Sequence, residues 1–518
     1  LVAVAAILST ARTFSGTVDE PAHIAAGLQW LTTGKYDYDL QHPPLGRIIT
    51  AIGPYLRGAR TTGAPAVYDE GADILGAGRH YVETLAWARY GVVPGYLVLA
   101  FVIWHWSRRL LGDAGAALAT LFVATNPTVL AHAGLATTDV VCAATTTLAL
   151  LAATRWIDRP TWRRSMGFGA GLALAIDSRL SAIAFLGAAL AACYVLRGLA
   201  GRRWNLGARA VGVTTATMLV GIWAAYRFAI GPLPNGGPIV PAPAFVQGVR
   251  VFLLHGGTGH PSFLLGTPSN GGWWYYFPVA LAVKTPIPLL ICAAAGAAVA
   301  LRGLERERDW RAAVPLASAL AILGISLLVR VDIGVRLILP VYPFMAIMAA
   351  NGTLELWRRR SLLARGCAGL LVAGSLSIAV QSYPDWLAYF NPFAGGRPDR
   401  VLVDSNLDWG QDLYRLRDTL AARGVRDSVF VAYFGTADLA AAGVPRARLL
   451  GLHEVRPGWI AASRTFLSGE WVGGAYQWLL AYRPTARIGP SMLLWHLADS
   501  AAAATNAAAG TTRGSLRR

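Results

Sequence analysis

A mainly α, polytopic helical membrane protein with a small α/β domain after its last span is the fold class the sequence predicts. Two observations carry that prediction. Of 518 residues, 55% are hydrophobic and only 14% charged, and the apolar residues fall in runs of roughly 17–25, the length that crosses a bilayer. The second is the distribution of a net charge of +18, which gathers in alternate loops instead of forming a basic patch with interleaved aromatics. That pattern argues against nucleic-acid binding.

Taken in order, spans are expected at about 1–13, 84–106, 113–130, 139–155, 165–177, 180–196, 210–230, 276–301, 312–329, 337–356 and 362–380, about eleven in all. Residues 1–13 read as the outer part of a first span, since no small-residue cleavage pattern follows. The basic loops are those holding Arg108 and Arg109; Arg155, Arg159, Arg163 and Arg164; Arg197, Arg202, Arg203 and Arg209; Arg302, Arg306, Arg308 and Arg311; and Arg358, Arg359, Arg360 and Arg365. The positive-inside rule makes these cytoplasmic. The first loop (14–83), the loop 231–275 and the C-terminal region then face outward, with the plasma membrane as the expected location. Cys142, Cys193, Cys292 and Cys367 lie in apolar runs and read as buried small hydrophobes.

Within the 1–380 membrane domain, Pro21 to Thr33 reads as a short helix closed by Gly34, with Ile24, Leu28 and Leu31 on one face in the outer membrane interface. Residues 231–272 form a long Pro- and Gly-rich loop ending in Trp273, Trp274, Tyr275 and Tyr276, an aromatic belt at the head of a span. A loop of that length is a lid, a binding loop or a mobile connector. From about Ser382 the pattern changes to α/β. Strands are expected at 401–403, 428–434, 449–454, 459–466 and 486–494, with a helix at 413–423, giving a domain over 381–500. The Ala/Gly/Thr/Arg stretch 501–518 reads as a disordered tail.

Two carboxylates, Asp19 and Glu20, follow the first span, and His42-Pro43-Pro44-Leu45-Gly46-Arg47 comes about twenty residues later. Ionisable groups at a membrane boundary are costly and mark candidate sites. These motifs resemble those of lipid-carrier-dependent glycosyltransferases of the GT-C class, the relatives of protein O-mannosyltransferases (glycosyltransferase family 39) and of the aminoarabinose transferase acting on lipid A. Those enzymes carry an Asp-Glu pair in the first outer loop, then a Pro-Pro-Leu segment. Gly334-Val335-Arg336-Leu337-Ile338-Leu339-Pro340 is similar to a Gly-x-Arg-x-x-Leu-Pro run of the same families. Two departures stand out: no MIR-type sugar-binding module is present, and Arg179 occupies a place where many relatives carry Lys.

The resemblance implies transfer of one sugar from a polyprenyl-phosphate carrier to an acceptor on the outer face, with inversion. Such a reaction needs a base for the acceptor hydroxyl, a cationic group for the departing phosphate and a site open to the bilayer. Asp19 is the candidate base, and Glu20 would orient or cap, because adjacent helical residues point about 100° apart. The plain structural reading is that both complement the helix dipole. Asp139, at the head of the fourth span, matches a second acidic residue of these enzymes. Phosphate ligands are sought in Arg336, Lys284 and Arg179, with a guanidinium suited to a bidentate grip. His42 is read as a substrate-site residue or a packed one. With His255 and His260 it could join Glu20 or Asp139 around a divalent cation, although no spacing resembles a zinc box. Asp404, Asn406 and Asp408 could bind an ion or an acceptor, without the closing Glu of an EF-hand. The acceptor class, whether protein, glycan or lipid, is not encoded in any motif. The rival readings are a transporter or flippase for a lipid-linked sugar, which would favour internal repeats and midplane charges, and a non-catalytic subunit of envelope assembly.

Overall fold

The computed structural model describes residues 1–77, 80–202, 207–444, 446–500 and 502. Arg203 and, apart from Ala502, the tail 501–518 lie outside the described residues. Helix α1 (Val2–Thr10) leads into a first loop folded as α2 (Glu20–Thr33), α3 (Pro44–Leu56) and α4 (Val67–Gly76). Then come α5 (Tyr81–Ala124), α6 (Pro127–Ala133), α7 (Asp139–Asp158), α8 (Trp162–Ser178), α9 (Ser181–Leu199) and α10 (Ala208–Ala225). The second long loop pairs β1 (Ile230–Pro232) with β2 (Ile239–Pro241), continues as α11 (Pro243–Thr258), and pairs β3 (Ser262–Leu264) with β4 (Thr267–Ser269). Helices α12 (Tyr276–Lys284), α13 (Ile287–Glu307), α14 (Trp310–Ser326), α15 (Val341–Arg358) and α16 (Leu362–Gln381) complete the bundle.

Among the described residues, α5, α7, α9, α10, α13 and α16 are long and apolar enough to cross a membrane. The chain is thus a mainly helical membrane protein. Three local breaks shape the expected spans. Gly112, at φ 76° and ψ −172°, interrupts α5 between the two spans expected on either side of it. Pro286 holds Thr285 extended (ψ 133°), as a residue before proline prefers, and so splits the expected 276–301 span into α12 and α13. Residues 335–338 wind as a 3₁₀ turn ahead of α15, not as part of it.

Helix α15 is the central post, buried without interruption from Val341 to Ala350. It approaches α13 at two glycines: a Cβ on Gly296 would lie 1.8 Å from the Met348 carbonyl oxygen, and one on Gly352 would lie 2.1 Å from that of Cys292. Small residues allow this backbone contact, the usual device between helices in lipid. By contrast α10 and α16 turn most of their surface outward. Cys367 on α16 is therefore exposed, unlike the other three cysteines, because its run faces the bilayer.

The C-terminal region builds α17 (Leu413–Ala422), α18 (Arg464–Leu467) and a five-stranded mixed sheet in the order β6 (Ala447–Leu449), β5 (Val429–Ala432), β7 (Gly458–Ser463), β9 (Met492–Leu497), β8 (Ala486–Ile488). The expected strand at 401–403 is irregular backbone leading into a 3₁₀ turn at 404–406, and the expected strand 486–494 is a hairpin folded at Gly489. This region is not independent of the first loop. Ile24, Leu28, Ile74 and Leu85 share one hydrophobic cluster with Leu413, Val431, Ile488 and Leu494. Helix α2 accordingly turns its apolar face onto protein, not lipid; Ile24 and Leu28 are both fully covered, each worth about 1.5–3 kcal/mol of burial.

Candidate active site

Asp19 stands at the start of α2, and its position is fixed from both sides. The Val18 N–H donates to the Trp409 carbonyl (3.1 Å) and the Ser15 N–H to that of Gln411 (3.1 Å), so the first loop runs alongside the C-terminal domain. Asp19 Oδ2 meets Arg336 Nη1 at 3.0 Å. Arg336 in turn donates from Nε to Ser405 Oγ (3.0 Å) and lies 4.2 Å over the Trp409 ring. Its turn is held by the Val335 N–H donating to Asn406 Oδ1 (3.0 Å), and a Cβ on Gly334 would meet Ser405 Oγ at 2.1 Å. The Gly-x-Arg spacing thus has a cause: the glycine lets the guanidinium turn close on the C-terminal domain.

Asp139 is buried behind this pair. One carboxylate oxygen takes a hydrogen bond from Arg179, and the other lies 3.9 Å from Arg336. Two cations and two carboxylates therefore alternate from Arg179 through Asp139 and Arg336 to Asp19. A cavity of about 450 Å³ opens over them, lined by Asp19, Arg179, Arg336, His42 and Asp404, within the range of small-molecule sites. Its flank is apolar, with Phe185 on α9, Phe252 on α11, and Ile325, Leu328 and Val329 at and beyond the end of α14.

A third wall comes from the Pro-Pro-Leu region. Arg47 donates from Nε to His23 Nδ1 (3.2 Å) and pairs with Asp39. The His23 and His42 rings meet edge to face at 5.3 Å. Burial, then the Arg47 charge, holds both imidazoles well below their usual pKa, so they are neutral at pH 7. His23, Asp39, Arg47 and Trp409 are cavity residues that sequence reasoning left unassigned; Arg47 carries the same signal as Arg336, an arginine that stands apart from the basic loops.

Two expected residues stand elsewhere. The Glu20 carboxylate is enclosed, accepting from Arg89 Nε and Nη2 (2.7 Å each) and from the Thr17 and Ala136 N–H groups (2.8 Å each). It ties the first loop to α5 and does not line the cavity. Lys284 ends α12 with its Nζ donating to the carbonyls of Leu387 (2.7 Å) and Asn406 (2.6 Å), beneath Phe390. It fastens the bundle to the C-terminal domain and lies outside the cavity, because the break at Thr285–Pro286 turns it toward those carbonyls. Replacing Lys284 with Met should lower stability by about 2–4 kcal/mol, since two buried acceptors lose their donor, with affinity for a lipid phosphate unchanged. Thermal unfolding in detergent and calorimetric titration would check this; lost affinity at constant stability would return Lys284 to the phosphate.

Of the acidic run, only Asp404 lines the cavity. Asn406 is spent on Val335, Tyr276 and Val403, and Asp408 accepts from the Thr465 N–H (2.9 Å). No ion site forms there. Among the described residues no group of three or more His, Cys, Asp or Glu side chains is placed to hold a metal. The expected set does not fit one either, because Glu20 is saturated by Arg89 and backbone donors while Asp139 faces two arginines.

Behind Asp404 sits Glu470, 1% exposed, with no hydrogen-bond partner on either carboxyl oxygen. Burial, then the charges of Asp404 and Asp408, pushes its pKa well up; burial likewise lifts Asp404 and Asp408 to about 7. A carboxyl whose folded pKa exceeds its unfolded value of about 4.3 costs stability as pH rises through that window. Glu470→Gln should thus unfold at the same temperature as wild type near pH 4 and at a higher one at pH 8. Equal unfolding temperatures at both pH values would contradict a protonated Glu470.

An alternating charge pair beside an apolar flank, on a helical bundle capped by an α/β domain, defines the class: the molecule has the fold of the GT-C glycosyltransferases, which its first-loop motifs resemble. Residues 89–226, which include Arg89, Asp139 and Arg179, match the family model described as dolichyl-phosphate-mannose-protein mannosyltransferase. Among solved structures, the chain is similar to ArnT from Cupriavidus metallidurans bound to undecaprenyl phosphate, at 15% identity and TM-score 0.51, covering 95% of this chain and 96% of that one. It is also similar to the apo oligosaccharyltransferase of Archaeoglobus fulgidus, at 11% identity and TM-score 0.50, covering 90% and 70%. No curated protein matches by sequence.

Proposed function

We propose that the protein transfers a single sugar from a polyprenyl-phosphate carrier to an acceptor hydroxyl on the extracytoplasmic face of the plasma membrane, with inversion at the anomeric carbon. The observation that carries this reading is the 3.0 Å Asp19–Arg336 pair in a cavity whose floor alternates arginines with carboxylates and whose flank is apolar. Arg336 and Arg179 hold the carrier phosphate, and the apolar flank receives the first isoprene units. A phosphate arriving at Arg336 competes with Asp19 for the guanidinium and releases the carboxylate. Asp19 then takes the acceptor proton as the acceptor oxygen bonds to the anomeric carbon. The bond from that carbon to the phosphate oxygen breaks, and polyprenyl phosphate leaves with its charge met by Arg336. Asp139 keeps both arginines in place.

The test is sugar transfer by membranes containing the full-length protein, supplied with labelled polyprenyl-phosphate sugars and compared with Asp19→Asn. Transfer by wild type alone, at equal protein level, supports the assignment. Equal transfer by both removes Asp19 from the mechanism. Lipid-linked sugar crossing the bilayer without transfer would indicate a flippase.

A further inference from the structure

Two cavity residues are held in backbone conformations that their side chains disfavour. Asp404 has φ 52° and Trp471 has φ 67°; for a residue as bulky as Trp this is a true outlier, and such strain costs about 1–3 kcal/mol and gathers at functional sites. The two are joined, Trp471 Nε1 donating to Asp404 Oδ2 at 3.4 Å. Although it sits in a packed domain, Trp471 remains 46% exposed. His260 from the second long loop meets its ring edge to face at 4.6 Å, and Phe434 stands at 5.9 Å on another side. All four residues line the cavity. An indole face turned to a cavity, rimmed by aromatics and by a carboxylate with spare lone pairs, matches the chemistry of a sugar ring: apolar C–H groups on one face and hydroxyl donors at the edge.

Position decides which sugar this is. Ser405, the neighbour of Asp404, accepts the Arg336 Nε hydrogen bond at 3.0 Å. A sugar esterified to a phosphate held by Arg336 would thus lie near Asp404, to which Trp471 donates. We infer that Trp471 and Asp404, with His260 and Phe434, form the subsite for the glycosyl group of the donor and set which sugar is transferred. The inference rests on the donor reading given above. Trp471 supplies binding common to several sugars. Asp404 discriminates among epimers, because a buried acceptor left without its hydroxyl is penalised.

The experiment is calorimetric titration of the full-length protein in detergent with undecaprenyl phosphate and with its mannosyl, glucosyl and arabinosyl derivatives. Wild type should bind at least one glycosylated carrier more tightly than the bare one. Trp471→Ala should weaken that carrier about tenfold and leave bare undecaprenyl phosphate unchanged, and Trp471→Phe should recover most of the loss. Asp404→Asn should narrow the spread among the three sugars. If Trp471→Ala weakens bare and glycosylated carriers alike, or neither, the subsite is overturned. It is also overturned if wild type does not distinguish glycosylated from bare carrier, or if only the acceptor KM rises in Trp471→Ala. Should wild type bind no carrier of any kind, the donor reading itself falls, and the subsite with it.

Discussion

Asp19→Asn should lower the turnover of sugar transfer by about 10²–10⁴-fold, the usual contribution of a positioned general base, while protein level and unfolding temperature stay close to wild type. Asn keeps the size of Asp and an oxygen that can accept from Arg336 Nη1, so the 3.0 Å contact has a neutral substitute. What Asn removes is the charge. Arg336 then loses one of the two carboxylates it faces and should grip a phosphate more firmly, so the donor KM should fall or hold while kcat collapses. A purely structural Asp19 would give the opposite split, with lower stability and unchanged turnover per folded molecule. Steady-state kinetics on purified enzyme, normalised to the folded fraction, separates the two.

Breaking the Glu20–Arg89 pair should have the largest effect on folding. Both side chains are almost wholly buried. Arg89 also donates to the carbonyls of Ala11 (2.9 Å), Phe14 (2.8 Å) and Ser15 (2.8 Å), so one guanidinium closes the first loop onto α5. Glu20→Ala leaves that charge buried without its counter-ion and should cost about 3–5 kcal/mol. Arg89→Met should cost a similar amount, for the reciprocal reason. The double variant Glu20→Ala/Arg89→Met should lose less than the sum of the two, because no charge is then stranded. Unfolding curves for the four proteins form the cycle; strict additivity would mean that the two groups act apart.

The membrane character and the family resemblance of the first-loop motifs were legible because each is local. Apolar runs of bilayer length and alternating Arg clusters are visible in any window of the chain, and Gly34 ends α2 at the residue expected. Roles that depend on meeting partners far away were not legible. Asp19 and Glu20 are adjacent in sequence, yet one opens on the cavity and the other is enclosed by an arginine 69 positions on. Lys284 and Arg336 both looked like phosphate ligands. The Thr285–Pro286 break sends the first into carbonyls of the C-terminal domain, and the glycine turn at 334 brings the second to Asp19. Trp409 carried no local signal as a support for Arg336, since an aromatic beside acidic residues reads equally well as core.

The clasp between the first loop and the C-terminal domain has a further consequence, for the order in which the site is assembled. Ser15 donates to the Gly410 carbonyl across 395 positions of chain. At a synthesis rate of roughly 5–20 residues per second, the loop bearing Asp19 waits on the order of 20–80 s for the segment that seats it. On the proposed reading of Asp19 as base, that base stays unplaced through the interval, and Arg336 has neither Ser405 nor Trp409. Transfer would then begin only after the segment around Gly410 has been made.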